Sequence, residues 1–120
     1  DEYKDRIAKT LEWVNKKRHV IEQAILDNNM TESAEFWIQD AERLENGCYL
    51  LEDGSSVSLP LSDDDFCMSL RLSELLINFE EDGSSDMEIY FICKPDYFAG
   101  HCIEITVDND KNISCDGVSG

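Results

Sequence analysis

The chain has 120 residues, of which 42% are apolar, with five Phe, four Tyr and two Trp. That is enough for one hydrophobic core, too little for two full domains, and too apolar for wholesale disorder. Its 27 acids against ten Lys and Arg give a formal charge of −17. Such a charge repels phosphate backbones and anionic lipid surfaces and weighs against a nucleic-acid or membrane role.

The charge is uneven along the chain. Residues 1–30 hold six acids and six bases, so the whole −17 falls on the remaining ninety residues, where the bases are Arg43, Arg71, Lys94 and Lys111. The neutral first quarter places apolar residues at Ile7, Leu11, Val14, Ile21 and Ile25 with no Gly or Pro between them. This 3.6-residue stripe predicts one helix ending near Asn28-Asn29. A second helix is expected from an N-cap at Thr31, through Ala34, Trp37 or Ile38, Ala41 and Leu44, to a stop at Asn46-Gly47.

After Gly47 the period changes to two. Cys48 to Leu51 and Ser56 to Leu61 flank Asp53-Gly54, the signature of a hairpin. Ser62 followed by Asp63, Asp64 and Asp65 predicts a capped short helix through Phe66 and Leu70, with carboxylates at the positive end of its dipole. Strands are expected over Arg71–Phe79, Met87–Cys93, His101–Val107 and from Ile113 to about Val118, joined by polar turns. In the second of these Met87, Ile89, Phe91 and Cys93 share one face, and in the third Ile103, Ile105 and Val107 do. The fold class is α+β: two N-terminal helices packed on an antiparallel β-meander sheet, with a short extra helix. The expected organisation is one domain over 1–120, helical over 1–46, a hairpin over 48–61, a short helix over 62–70 and the meander over 71–120. The chain opens on Asp1 instead of Met, so a preceding N-terminal segment is expected.

No constellation that carries chemistry is complete. Asp108-Asn109-Asp110-Lys111-Asn112 has the first, third and fifth oxygen ligands of a calcium loop, but Ile113 stands where Gly is needed and Ser119 where a bidentate Glu is needed. It reads as a turn. His101 and Cys102 are strand neighbours and point to opposite faces, so they form no dyad. The other histidine, His19, lies in the basic cluster Lys16, Lys17, Arg18, which reads as a docked or solvated helix face. Cys48, Cys67, Cys93, Cys102 and Cys115 are odd in number and make no Cys-x-x-Cys. They read as small apolar groups in a reducing cytoplasm. Gly83, Gly100 and Gly117 are too scattered for a phosphate loop. No apolar run nears the roughly 20 residues of a membrane span, and no metal or cofactor is implied.

The residues from Leu61 onward resemble a bacterial family known as domain of unknown function 2262. The similarity rests on Ser62-Asp63-Asp64-Asp65-Phe66, Leu70 to Phe79, Asp82-Gly83-Ser84 and Glu88-Ile89-Tyr90-Phe91. It continues through Asp96-Tyr97-Phe98-Ala99-Gly100-His101 into the Cys102 to Val107 strand and ends at Gly117-Val118-Ser119-Gly120. Phe98-x-Gly100-His101 is its most specific part: Phe98 is expected to plug the core, Gly100 to permit a kink, and His101 to satisfy a local backbone group. Small acidic proteins of this kind resemble immunity proteins of bacterial toxin systems. The resemblance therefore implies a binding module that neutralises a cationic toxin domain, such as a basic nuclease. The expected contacts are the carboxylates of Asp53, Asp63, Asp64, Asp65, Glu80, Glu81, Asp82 and Asp86, with Tyr97 as an aromatic anchor. The alternatives are a metal-assisted hydrolase using His101 and carboxylates such as Asp96, and a non-catalytic regulatory or scaffold domain. A homodimer through the partly apolar sheet face is a further expectation.

Overall fold

A computed structural model describes residues 2–119; Asp1 and Gly120, the last residue of the terminal motif above, lie outside the described residues. Three helices, α1 (Glu2–Lys16), α2 (Arg18–Asp27) and α3 (Met30–Gln39), precede three two-residue strands, β1 (Glu42–Arg43), β2 (Tyr49–Leu50) and β3 (Ser56–Val57). A short α4 (Asp63–Ser69) then leads into β4 (Leu70–Phe79), β5 (Ser85–Cys93), β6 (Cys102–Val107) and β7 (Ile113–Ser119). The short strands form one antiparallel sheet in the order β1-β2-β3, and the long ones a second in the order β4-β5-β6-β7. This is the α+β architecture expected, helices first and meander after.

The first helix is broken where one was expected to run through. Lys17 leaves the helical region at φ −96°, ψ 10°, yet Lys17 N still donates to Trp13 O and Ile21 N to Lys17 O, both at 2.9 Å. The apolar stripe therefore survives the kink, with Val14, Ile21 and Ile25 buried. The residue just past the kink is pinned by the sheet. Arg18 donates through Nη2 to Leu70 O (3.1 Å), pairs with Glu22 (2.9 Å), and lies 4.8 Å from the centre of the Phe91 ring. Arg18 is thus docked, half-buried, against the sheet, while Lys16, Lys17 and His19 are exposed.

The second helix also differs from expectation. It opens after Asn29, which sits in the left-handed region at φ 57°, so Thr31 lies inside the helix, buried, and caps nothing. It stops at Gln39. Asn46-Gly47, expected to close it, instead turns β1 into β2: Gly47 has φ +89°, Leu44 N donates to Cys48 O at 2.7 Å, and Cys48 N to Asn46 Oδ1 at 3.0 Å. Asn-Gly serves a helix end and a hairpin turn equally well, and pairing of Glu42 with Leu50 and Arg43 with Tyr49 selects the hairpin. The next hairpin turns at Asp53-Gly54 as expected, with Leu51 N donating to Ser55 O at 2.8 Å, but its second arm ends at Val57 and not at Leu61. So does the Ser62 cap of α4, whose hydroxyl accepts from Asp65 N at 3.0 Å.

The long sheet separates its faces by alternation. Met87, Ile89, Phe91 and Cys93 of β5 and Ile103, Ile105 and Val107 of β6 are buried. They form one cluster with Val14, Ile21 and Ile25 of the first two helices, Met30, Ala34 and Ile38 of α3, and Phe66 of α4. The register of β4 shifts between Leu72 and Glu74. Leu72 therefore pairs with Phe91 and Leu75 with Ile89 although three residues apart; Leu75 packs against the core, while Leu72 stays exposed. A second shift, between Glu104 and Ile105, leaves Asp116 of β7 without a direct partner.

Candidate functional site

Phe98-x-Gly100-His101 is the hub of an aromatic cluster. Phe98 is 1% exposed and meets Trp37 of α3 edge-on at 5.7 Å and Phe66 of α4 edge-on at 6.3 Å. Gly100 has φ +86°, a conformation that favours glycine, and its N–H donates to Asp96 Oδ1 at 2.9 Å. The plug and the kink are as expected. His101 differs: its ring lies 5.3 Å from that of Trp37, so its contact is an aromatic one, while its backbone N–H donates to Phe98 O. Tyr97, expected as a surface anchor, is 5% exposed and stacks on Phe66 at 6.2 Å; burial raises its phenol above the ordinary range. The run Tyr97-Phe98 sends both rings inward because it lies in the irregular loop between β5 and β6, where strand alternation does not apply. The exposed aromatic of this region is Phe36, at 70%.

The expected acidic contacts do not form one surface. Asp63, Asp64 and Asp65 open α4 at the Leu70 end of β4, and Asp53 is tied to that end through Asp96 N (2.9 Å). Glu80, Glu81 and Asp82 occupy the turn at the Phe79 end. Ten strand residues stand between the two groups, a separation of about 30 Å. Several of these carboxylates also hold their own turns. Asp53 accepts from Ser55 N and Oγ, and Asp82 from Ser84 N (2.9 Å) and Oγ (2.6 Å). Asp108 accepts from Asp110 N and Asn112 N, both at 2.9 Å. These bonds, with the serine hydroxyl first for Asp53 and Asp82 and the Asn112 amide first for Asp108, keep all three carboxyls below the ordinary range. The calcium-like string is thus a turn organised by Asp108.

The outer sheet face carries the acids that do converge. Opposite the core-facing positions of β4, β5 and β6 stand Glu74, Tyr90 and Glu104 in one row and Leu76, Glu88 and Thr106 in the next, with Asp86 beyond. Tyr90 donates its hydroxyl to Glu88 at 2.7 Å and lies 3.3 Å from Glu104 Oε1; the Glu88 bond above all raises the phenol pKa. Thr106 donates to Asp116. The base at the rim, Arg71, is turned to the carbonyls of Met68 (2.6 Å) and Leu70 (3.1 Å). Of the eight expected acids, Asp86 alone belongs to this face. The signal for the rest was the polar half of each alternating strand.

No three His, Cys, Asp or Glu side chains form a group able to hold a metal among the described residues. Asp96, the carboxylate expected beside His101, is occupied by Gly100 N. The cysteines are free: Cys93 is buried and Cys48, Cys67, Cys102 and Cys115 half-buried. Burial pushes the thiols of Cys93 and Cys67 up to about 11, so both stay protonated near neutrality. No helix among the described residues is long and apolar enough to cross a membrane.

The profile of the bacterial family described as "Uncharacterized protein conserved in bacteria (DUF2262)" matches residues 1–118. The chain belongs to this family. Membership in DUF2262 therefore takes in the helices as well as the sheet, a wider span than the motifs from Leu61 onward. The parts of this DUF2262 chain that touch through Phe98, namely α3, α4 and the loop before β6, all lie within the match. No curated protein and no solved structure matches it significantly.

Proposed function

We propose that this DUF2262 chain is a binding module that neutralises a cationic protein, an immunity protein for a bacterial toxin domain of the basic-nuclease type. The observation that carries the reading is the outer face of the long sheet. Its carboxylates, Glu74, Asp86, Glu88, Glu104 and Asp116, stand on a rigid antiparallel scaffold whose opposite face is packed by the helices. A nuclease must present a cationic cleft to its substrate. An acidic sheet face can occupy that cleft, and the field of a −17 chain speeds the encounter at low salt. The hydrogen-bonded Glu88, Tyr90 and Glu104 side chains are held in place before binding, which lowers the ordering cost on association.

The test is capture of the product of the neighbouring gene, followed by association kinetics at rising salt. The expected result is a complex whose association rate falls by at least about tenfold from low to physiological ionic strength. Glu88→Lys with Glu104→Lys should weaken the complex, while Asp63→Lys, on α4 and off the sheet face, should act less. A neighbouring gene product that does not bind, or a salt-independent rate, would remove the reading.

A further inference from the structure

In a chain so acidic, one cavity is lined, among the described residues, by cations and by no carboxylate. It measures about 320 Å³ and lies between α1 and the ends of the β4–β5 and β6–β7 turns. Arg6, Lys9 and Lys111 supply its charge, Trp13 and Phe79 its aromatic walls, and Met87 an apolar contact. Arg6, Lys9 and Trp13 stand at i, i+3 and i+7 and so share one face of α1. The sheet brings Lys111 to them from the far end of the sequence, because both turns lie at the same end of the meander.

Two of the three cations are positioned, and Lys9 reaches the cavity from an exposed site on α1. The Arg6 guanidinium lies 4.1 Å from the centre of the Phe79 ring, and its Nη2 is shielded from solvent with no hydrogen-bond acceptor among the described residues. A shielded guanidinium N–H without an acceptor is costly, and a small swing off the ring face offers it to an oxyanion. Lys111 donates to Ser85 O (3.1 Å) and Ser85 Oγ (3.0 Å), which leaves its third ammonium proton for a ligand, and it lies 5.9 Å from the centre of the Trp13 ring. Its backbone is fixed in the left-handed region at φ 67°.

We infer that this cavity is a binding site for a small phosphorylated molecule with a planar ring, the phosphate held by Arg6, Lys9 and Lys111 and the ring by Trp13 and Phe79. Three cations around one cavity match a dianionic phosphate better than a single carboxylate. The volume is at the small end of ligand cavities, which suits one ring and one phosphate. Nearby carboxylates, Asp82 bonded to Ser84 and Asp108 beside Lys111, are engaged by donors of their own turns, and charges more than about 8 Å away are largely screened at physiological salt. The site is separate from the acidic sheet face and does not depend on it.

The test is calorimetric titration of the full chain at fixed ionic strength with phenyl phosphate, benzoate, inorganic phosphate and phenol. Phenyl phosphate should bind at one saturable site and more tightly than the other three. Lys9→Gln, at an exposed position that leaves packing intact, should weaken it several-fold. Lys111→Asn, which keeps a residue tolerant of positive φ, should weaken it by about tenfold. Thermal unfolding of both variants reports that they remain folded. Absence of saturable phenyl phosphate binding at millimolar concentration, benzoate or phenol binding as well as phenyl phosphate, or folded variants that bind like the wild type would each overturn the inference.

Discussion

Replacing Phe98 by Ala tests whether the loop before β6 is held by its aromatic hub. Phe98 is 1% exposed and lies edge-on to both Trp37 and Phe66. Truncation removes a buried ring and leaves a cavity between α3, α4 and the loop, at a cost of about 4 kcal/mol. For a chain of 120 residues, an unfolding entropy of about 2.1 cal/mol/K per residue turns this into a fall in Tm of roughly 16 °C. Phe98→Leu keeps most of the volume and should cost about 1.5 kcal/mol, near 6 °C. Phe36→Ala, on an adjacent but exposed aromatic, should stay within about 2 °C. Thermal unfolding followed by circular dichroism, with urea midpoints as a second measure, reads all three. A Phe98→Ala protein melting within about 3 °C of the wild type would refute the reasoning.

Gly100→Ala should cost about 1 kcal/mol, because nothing lies within 4 Å of the added Cβ and the penalty is purely that of φ +86°. Gly100→Asn should recover part of it, and urea midpoints that rank Ala above Asn would contradict this. The carboxyls of Asp53, Asp82 and Asp108 are held below their unfolded values. Their contribution is therefore complete above about pH 4 and lost as pH falls through the lowered folded values. Asparagine keeps the bonds accepted by Oδ1 without titrating and gives up those that Asp53 Oδ2 accepts from Asp96 N and Asp108 Oδ2 from Asn112 Nδ2; the triple Asn variant should therefore start less stable but lose less stability than the wild type between about pH 5 and 2. Equal slopes in urea titrations would sink the assignment. Cys93, buried and with its thiol pushed up to about 11, should react with a thiol reagent at neutral pH only as fast as the protein opens. Rapid alkylation of native Cys93, located by peptide mass, would show its burial to be wrong.

Local chemistry made much of the molecule legible in its residues. The Ser62 cap, the Asp53-Gly54 turn, the Asp108 turn and the alternation of β5 and β6 depend on neighbours a few positions away, and the structure keeps them. Phe98 and Gly100 were legible for the same reason, through size and conformational freedom. The ambiguous places were those where one local signal fits two outcomes. Asn46-Gly47 suits a helix end or a hairpin, and Tyr97 suits an anchor or a core residue. Turn carboxylates are conspicuous in sequence, while the row that includes Glu74, Glu88 and Glu104 is spread along separate strands and shows only once the strands pair.

The sequence by itself determined the broad order of helices, hairpin, short helix and meander, the faces that β5 and β6 bury, the Ser62 cap and Asp53-Gly54 turn, and the location of the net charge. Those features follow from side-chain periodicity and short-range hydrogen bonding. Tertiary structure decided the kink at Lys17, where Arg18 is pinned to Leu70 and Phe91, and the extent of α3, where β1 pairs with β2. It also gathered one row of acids across β4, β5 and β6, and brought Arg6 and Lys9 to Lys111 around a single cavity. Those outcomes depend on register and on contacts between residues far apart in the chain, which pattern along one segment does not encode.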